Sequence, residues 1–464
     1  MPHIQPPPPP PPPPPSPAPE DVAERARRAA RIEASLTAPG APFAVVVGER
    51  GVPEYADGPR TLREFVETTW AYGDAPFLIT GERTCSYGEF FAAASALAVR
   101  LRERYGLRSG DRAVIAVRNL PAWQIAFWAA QLAGLVAVPL DVRWTEGAFV
   151  QVLDDCEPAV LLVDGERLER TAGWARRAGA RVVLLPGSEG AGSEAPGLRL
   201  ERYEEFPAPD PLAAPPDVEP RPEDDATILY TSRTAGRTRG AVATHLAQAG
   251  AAINPRYHAA ASALARGDIP GLGSAPVVRL TRPFPDPAAF TVLYGAMAVG
   301  GAIDLTGEPT DEPTDEPAAG LTAGPAAVPP VERPGEPGGS ASQGTGAFPP
   351  GGYGLAETGG TVLASFGDGD GDGDGLGLGL GTGAGGAGRP TPVTEVWIAG
   401  PSGEGLPDGE EGELWLRGQS LFRGYWRDAA ATEAAFGDGG WFRTGDRAVL
   451  REGWVSIVGR IGGV

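Results

Sequence analysis

The residues best suited to chemistry crowd first into the stretch from Tyr230 to His245. Thr231, Ser232, Thr234 and Gly236 fall within one short segment, and Arg239 follows three residues later. A β-prone run, Ala226 to Tyr230, leads into this loop, and a helix-like segment follows His245. Hydroxyls, backbone N–H groups and a guanidinium at that density suit a polyphosphate. The pattern Gly-x-x-x-x-Gly-Lys-Ser/Thr is absent, so this is not a Walker loop. The plainer alternative is a Gly/Thr turn between strand and helix. Two further clusters carry a carboxylate near aromatic rings: Tyr353-Gly354-Leu355-Ala356-Glu357, and Trp441-Phe442-Arg443-Thr444-Gly445-Asp446 with Arg460 beyond it. Two tempting patterns are rejected. Asp368, Asp370, Asp372 and Asp374 alternate as in a calcium loop, but every register puts glycine where an EF-hand needs a bidentate glutamate. Gly383 to Gly388 fits a dinucleotide fingerprint by letter only, with no strand before it and Arg389-Pro390 preventing a helix after it.

Taken in order, these clusters resemble the motifs of the adenylate-forming superfamily: acyl-CoA synthetases, peptide-synthetase adenylation domains and luciferases. The signature Tyr-Thr-Ser-Gly-Thr-Thr-Gly-x-Pro-Lys-Gly-Val-x-x-Thr-His is matched at Tyr230, Thr231, Ser232, Thr234, Gly236, Gly240, Thr244 and His245. It is replaced at Arg233, Ala235, Thr238 and Arg239, the last standing for lysine. Tyr353 and Glu357 match the Tyr-Gly-x-Thr-Glu motif, with Ala356 in place of threonine, and the segment Trp441 to Asp446 is the least altered of all. The resemblance implies attack of a carboxylate on the α-phosphate of ATP·Mg²⁺, then transfer of the acyl group to a thiol, with CoA the expected co-substrate. It assigns phosphate contact to Thr231, Ser232, Thr234, Gly236 and Arg239, and Mg²⁺ to Glu357. Adenine goes to Tyr353, the ribose hydroxyls to Asp446, and the neighbourhood of the hinge to Arg460. Glu357 and Arg239 are the expected catalytic residues. The implied partner is a small-molecule carboxylate, a fatty acid among the candidates. A competing reading is a catalytically impaired remnant that binds nucleotide or serves as a scaffold.

The elements that must position these residues follow from periodicity. From Thr61 to Pro186, short apolar strands (Ala113 to Val117, Val136 to Leu140, Ala159 to Val163, Arg181 to Leu185) alternate with helices (Tyr87 to Arg104, Ala122 to Ala133, Glu146 to Leu153, Arg167 to Ala178). That alternation predicts a mainly parallel sheet covered on both faces. A helix is expected over His245 to Leu264, with His258 an ordinary, partly exposed member, and another over Ala288 to Val299. Strands return at Glu395 to Ala399, Gly412 to Arg417 and Ser420 to Trp426, which the resemblance assigns to a small β-barrel. The expected fold is therefore α/β, the N-terminal domain fold of adenylate-forming enzymes: two mixed sheets sandwiching helices plus a small β-barrel. The chain reaches Val464 where the resemblance places the hinge, so the mobile C-terminal domain is expected to be absent.

Four stretches divide the chain. Residues 1–20 hold the run Pro6 to Pro15, which lacks backbone donors and should extend as polyproline II. An inert tail is the simpler expectation for it, and docking to a proline-recognition module the alternative. An exposed, Arg-rich helix is expected from Asp21 to Leu36, opening the first part of the core, 21–306. Residues 307–350 are Pro-, Gly- and Ala-rich and should be disordered, as should the Gly/Asp-rich loop 367–388 within the second part, 351–464. A net charge of -20 argues against nucleic acid as a partner. Two cysteines suit a reducing compartment, and neither a signal peptide nor a membrane span is evident, so a soluble cytoplasmic protein is expected. All 39 basic residues are arginines; there is no lysine.

Overall fold

The computed structural model describes residues 22–187, 197–212, 214–232, 238–280, 282–306, 352–364 and 388–461. The proline run, the stretch 307–350 and nearly all of 367–388 lie outside the described residues.

Helix α1 (Val22–Thr37) is followed by a small hairpin of β1 (Val45–Val47) and β2 (Pro53–Tyr55), then by α2 (Leu62–Thr68). The expectation of an exposed first helix needs correcting. Ala29, Ile32 and Leu36 are buried in one cluster with Tyr257, Ala260 and Ala261. The arginines hid the stripe, because three apolar residues at helical spacing suffice to seat a helix.

Strands β3 (Pro76–Thr80) and β4 (Arg83–Ser86) form a hairpin, and Ser86 begins α3 (Tyr87–Val99) with a complete capping box to Glu89. The alternating segment then runs β5 (Arg112–Ala116), α4 (Pro121–Leu132), β6 (Val136–Pro139), α5 (Glu146–Cys156), β7 (Val160–Val163), α6 (Gly165–Ala178), β8 (Arg181–Leu184) and β9 (Arg199–Arg202). All five strands pair in parallel, as the alternation predicts. The long hairpin of β10 (Asp225–Ser232) and β11 (Thr238–Thr244) joins this sheet through a parallel pairing of β10 with β6.

Helix α7 (His245–Arg266) packs against α1 and α2. Next come β12 (Val277–Arg279), α8 (Pro287–Ala298) and β13 (Ala302–Asp304), which complete a second, mixed sheet in the order β12-β13-β3-β4. The core packs α3, α4, α7 and α8 between the two sheets, around Trp123, Trp128, Phe127, Phe290 and Tyr294.

The last third contains β14 (Tyr353–Leu355), β15 (Gly360–Ala364), β16 (Arg389–Pro390), β17 (Thr394–Ala399), β18 (Glu411–Gly418), β19 (Gly424–Tyr425), α9 (Ala429–Ala435), β20 (Phe442–Arg451) and β21 (Trp454–Arg460). The β-barrel region consists of an antiparallel sheet β17-β18-β20-β21 beside the three-stranded β14-β15-β16. One segment goes elsewhere. The expected strand Ser420 to Trp426 is ordered as β19 alone, and it pairs with β11 at the edge of the eight-stranded sheet. No helix among the described residues is long and apolar enough to cross a membrane.

Candidate active site

The β10–β11 hairpin places Thr231 opposite Arg239 and Ser232 opposite Thr238. Thr234 and Gly236 lie outside the described residues, as does Arg233. Of Ser232, the backbone is placed in β10. Thr231 Oγ1 is buried and has no hydrogen-bond partner among the described residues. An orphaned buried hydroxyl costs free energy unless something accepts from it or donates to it. It therefore fits an anionic oxygen arriving at the end of this hairpin.

Arg239 leads to the second cluster. Its guanidinium donates from Nε to Asp428 Oδ2 at 3.3 Å and lies 5.7 Å from the centre of the Tyr425 ring. Asp428 Oδ1 meanwhile caps α9 by accepting from the Ala431 N–H at 2.9 Å. Tyr425, carried on β19 opposite Ala241, donates its hydroxyl to Glu357 Oε1 at 2.8 Å. Glu357 is only 2% exposed, and its carbonyl accepts from Phe422 N–H at 2.7 Å. The turn that carries it, Ala356–Thr358, is fixed by Thr358, whose hydroxyl accepts from Leu355 N–H and bonds the Gly360 carbonyl. Gly359 closes the turn at φ +64, and a Cβ there would lie 2.8 Å from Gln248 Nε2. A side chain is excluded both by conformation and by the neighbour.

The third cluster is built on β14, β20 and β21. Tyr353 donates its hydroxyl to Asp446 Oδ2 at 2.6 Å. The β20–β21 register sets Asp446 opposite Arg460, whose Nε comes within 3.5 Å of Oδ1. Thr444 Oγ1 accepts from the Asp446 N–H at 3.0 Å and donates to the Leu414 carbonyl, so the carboxylate is aimed from its own backbone. Burial, followed by the charge of Asp446 and the bond to it, raises the Tyr353 phenol well above its usual value, and Glu357 adds to the effect. The phenol therefore stays a donor, and both carboxylates act on one ring.

Glu357, Arg239, Tyr353, Asp446 and Arg460 are thus brought into two adjoining clusters, with Thr231 on the same hairpin as Arg239. Among the described residues there is no group of three His, Cys, Asp or Glu side chains able to hold a metal ion. A single buried carboxylate such as Glu357 fits Mg²⁺ only when phosphate oxygens and waters supply most of its ligands.

Sequence reasoning missed several supporting residues. Tyr425 and Asp428 hold Glu357 and Arg239, and the only local signal was an aspartate just before an alanine-rich helix. Gln248 donates from Nε2 to Thr227 Oγ1 at 2.9 Å and accepts from the Tyr294 hydroxyl at 2.9 Å. Asn254 accepts from the Tyr55 hydroxyl at 3.0 Å. The signal for both was polar amides on the otherwise apolar α7. His245 Nδ1 accepts from the Leu62 N–H at 3.3 Å, which joins α7 to the start of α2, and burial lowers its pKa to about 4. His258 corrects an expectation. It is fully buried, not partly exposed, with no partner on either ring nitrogen among the described residues, and burial lowers its pKa to about 3.

Comparison with known proteins bears on the family and the fold. A family model described as AMP-binding enzyme matches residues 65–321 and 345–426. Feruloyl-CoA synthase of Amycolatopsis is 28% identical over 408 residues, covering 82% of this chain and 74% of that protein. The 4-coumarate–CoA ligase-like 4 protein of Oryza sativa subsp. japonica is 26% identical, covering 82% and 71%. In fold, the chain is similar to the N-terminal domain of FACL13 from Mycobacterium tuberculosis, with a TM-score of 0.60 at 20% identity, covering 86% of this chain and all of that one. The matched residues take in the Thr231–Arg239 hairpin, Tyr353, Glu357 and Tyr425, and the chain belongs to the AMP-binding enzymes, the adenylate-forming superfamily of acyl-CoA synthetase-like ligases.

Proposed function

We propose that the protein joins a carboxylic acid to CoA in two AMP-forming steps. A carboxylate oxygen attacks the α-phosphorus of ATP and pyrophosphate leaves. The thiolate then attacks the acyl carbonyl of the mixed anhydride and AMP leaves. The observation that carries this reading is the pair of buried carboxylates, Glu357 and Asp446, each engaged by a tyrosine hydroxyl, with the turn of Glu357 set against the β10–β11 hairpin. In this reading Thr231, Ser232, Thr234, Gly236 and Arg239 meet the phosphates, and Glu357 holds the nucleotide's Mg²⁺. Tyr353 lies against the base, Asp446 accepts the ribose hydroxyls, and Arg460 fixes Asp446. Chemistry of this kind rests on positioning and on neutralising developing charge, which buried and pre-oriented groups do without reorganising.

The acid we propose is an arylpropenoic one, supported by the names of the relatives matched over 82% of the chain; a fatty acid is the second candidate. ATP–pyrophosphate exchange, assayed with a panel of both acid classes, tests the reading. Exchange that depends on an arylpropenoate and disappears in Glu357→Gln is the expected result, and exchange driven only by fatty acids would move the substrate class. No exchange with any acid, together with retained ATP binding, would favour the second reading, nucleotide binding without turnover. One observation favours that alternative: no residue among the 464 is a lysine, and Arg239 stands where the resemblance puts one.

A further inference from the structure

The Arg239 guanidinium is held from one side. Nε donates to Asp428 Oδ2 at 3.3 Å, whereas Nη1 and Nη2 make no hydrogen bond or ion pair among the described residues. The group also lies 5.7 Å from the centre of the Tyr425 ring, within cation–π range.

Strand register sets what shares its surface. Arg239 lies directly opposite Thr231 on β10, and residues so paired project from the same face of the sheet. Ala241, two residues on and hence on that face, lies opposite Tyr425. The alternate residues Ile228, Tyr230 and Val242 belong to the cluster on the other face, while Ala241 and Tyr425 pack with Tyr353 and Leu355. One face of β10, β11 and β19 thus carries the Thr231 hydroxyl, the Arg239 guanidinium and the tyrosine that holds Glu357.

Asp428 is fixed independently of Arg239. Its Oδ1 accepts from the Ala431 N–H at 2.9 Å at the start of α9, and its carbonyl accepts from the Thr432 N–H at 3.0 Å and hydroxyl at 2.9 Å. Thr432 Oγ1 accepts in turn from the Tyr425 N–H at 2.8 Å, which ties the turn to β19. The two carboxylate oxygens divide the work, one serving the helix and the other Arg239. An ion pair whose side chains are 33% and 28% exposed is screened by water and adds little to stability. Orientation accounts for the arrangement better. A guanidinium anchored through Nε keeps a planar pair of donors for a phosphate, which the single nitrogen of a lysine cannot do. Resting on the assignment of Arg239 to phosphate above, we infer that Asp428 is a positioning residue for the nucleotide: it anchors Arg239 by Nε so that the Nη pair meets the phosphates beside Thr231. Asp428 itself touches no substrate and acts only through the guanidinium.

Calorimetric titration of ATP·Mg²⁺ and of adenosine tests this without turnover. Asp428→Asn keeps the size and the capping ability but has a single acceptor oxygen, so it cannot serve both α9 and Arg239. It should bind ATP roughly tenfold more weakly, the loss expected for one charge-assisted bond, and adenosine as the parent does. Asp428→Ser, a good cap too short to reach Nε, should match it and keeps the test open where the asparagine variant unfolds. In an Arg239→Gln background neither substitution should lower affinity further, because no guanidinium is left to aim. Arg239→Lys should lose as much as Arg239→Gln. An equal loss in both backgrounds would overturn the inference, leaving Asp428 as a helix cap only. Tighter ATP binding in Asp428→Asn would overturn it too, making the carboxylate a competitor of the phosphates, as would unchanged affinity in Arg239→Lys. A parent protein that binds ATP yet shows no exchange with any acid would remove the ligase reading and leave this one to stand on the affinities. A parent protein that binds no ATP would remove both.

Discussion

Asp446 sits between donors of two kinds, the Tyr353 phenol and the Arg460 guanidinium, and both hold it aimed. Hydrogen bonds to a charged group contribute about 1.5–3 kcal/mol each, so Asp446→Asn should weaken ATP binding by roughly ten- to a hundredfold in calorimetry. Tyr425→Phe should leave binding less affected, since a neutral hydroxyl contributes about 1 kcal/mol, and should lower pyrophosphate exchange through a less well-fixed Glu357. His258 makes the opposite kind of residue-scale statement. Its folded pKa, about 3, lies below the unfolded value near 6.5. The unfolded chain therefore binds the extra proton, and stability is complete above about pH 6.5 and is lost as pH falls towards 3. His258→Leu removes this loss and two unpartnered ring nitrogens as well. The variant should melt higher than the parent, with the difference larger at pH 5 than at pH 8; a constant difference would show that the imidazole does not titrate in unfolding.

At the scale of elements, local chemistry that could be read directly from neighbouring residues was legible. The apolar runs of β5 to β8 announced a sheet buried on both faces, because those signals lie within a few residues of what they specify. Removing the Ser86 cap with alanine should cost about 1 kcal/mol, visible as a lower melting temperature without a change in nucleotide affinity. Partners distant in sequence were not legible. Nothing within Gly424-Tyr425 says that it pairs with β11, about 180 residues earlier, and nothing near Arg239 names Asp428. The seating of α1 was missed because charge outnumbers its three buried residues. Of the candidate site, residue types and order were readable, whereas the tyrosine hydroxyls that hold each carboxylate depend on the tertiary fold. Gly359 tests whether that support matters: Gly359→Ala forces a side chain onto Gln248 at positive φ, and should lower both stability and exchange activity.

For the whole molecule, the two sheets and α7 form the body on which the site residues of the last third converge. Nucleotide should therefore stabilise the protein as a unit. At a hundred times its dissociation constant a ligand adds about 2.7 kcal/mol to the unfolding free energy, and the matching rise in melting temperature should shrink in Asp446→Asn. The placement of β19 also bears on how the protein is made. The eight-stranded sheet is closed on one side by residues 424–425, and Glu357 takes its hydroxyl partner from the same short strand. A ribosome adding about 5–20 residues per second needs some 10–40 s to travel from the end of β11 to Tyr425. Throughout that interval the nascent chain displays β11 as an open sheet edge, the kind of surface that pairs with other chains. Yield in the cell should therefore depend on chaperone capacity during synthesis more than on the stability of the finished fold.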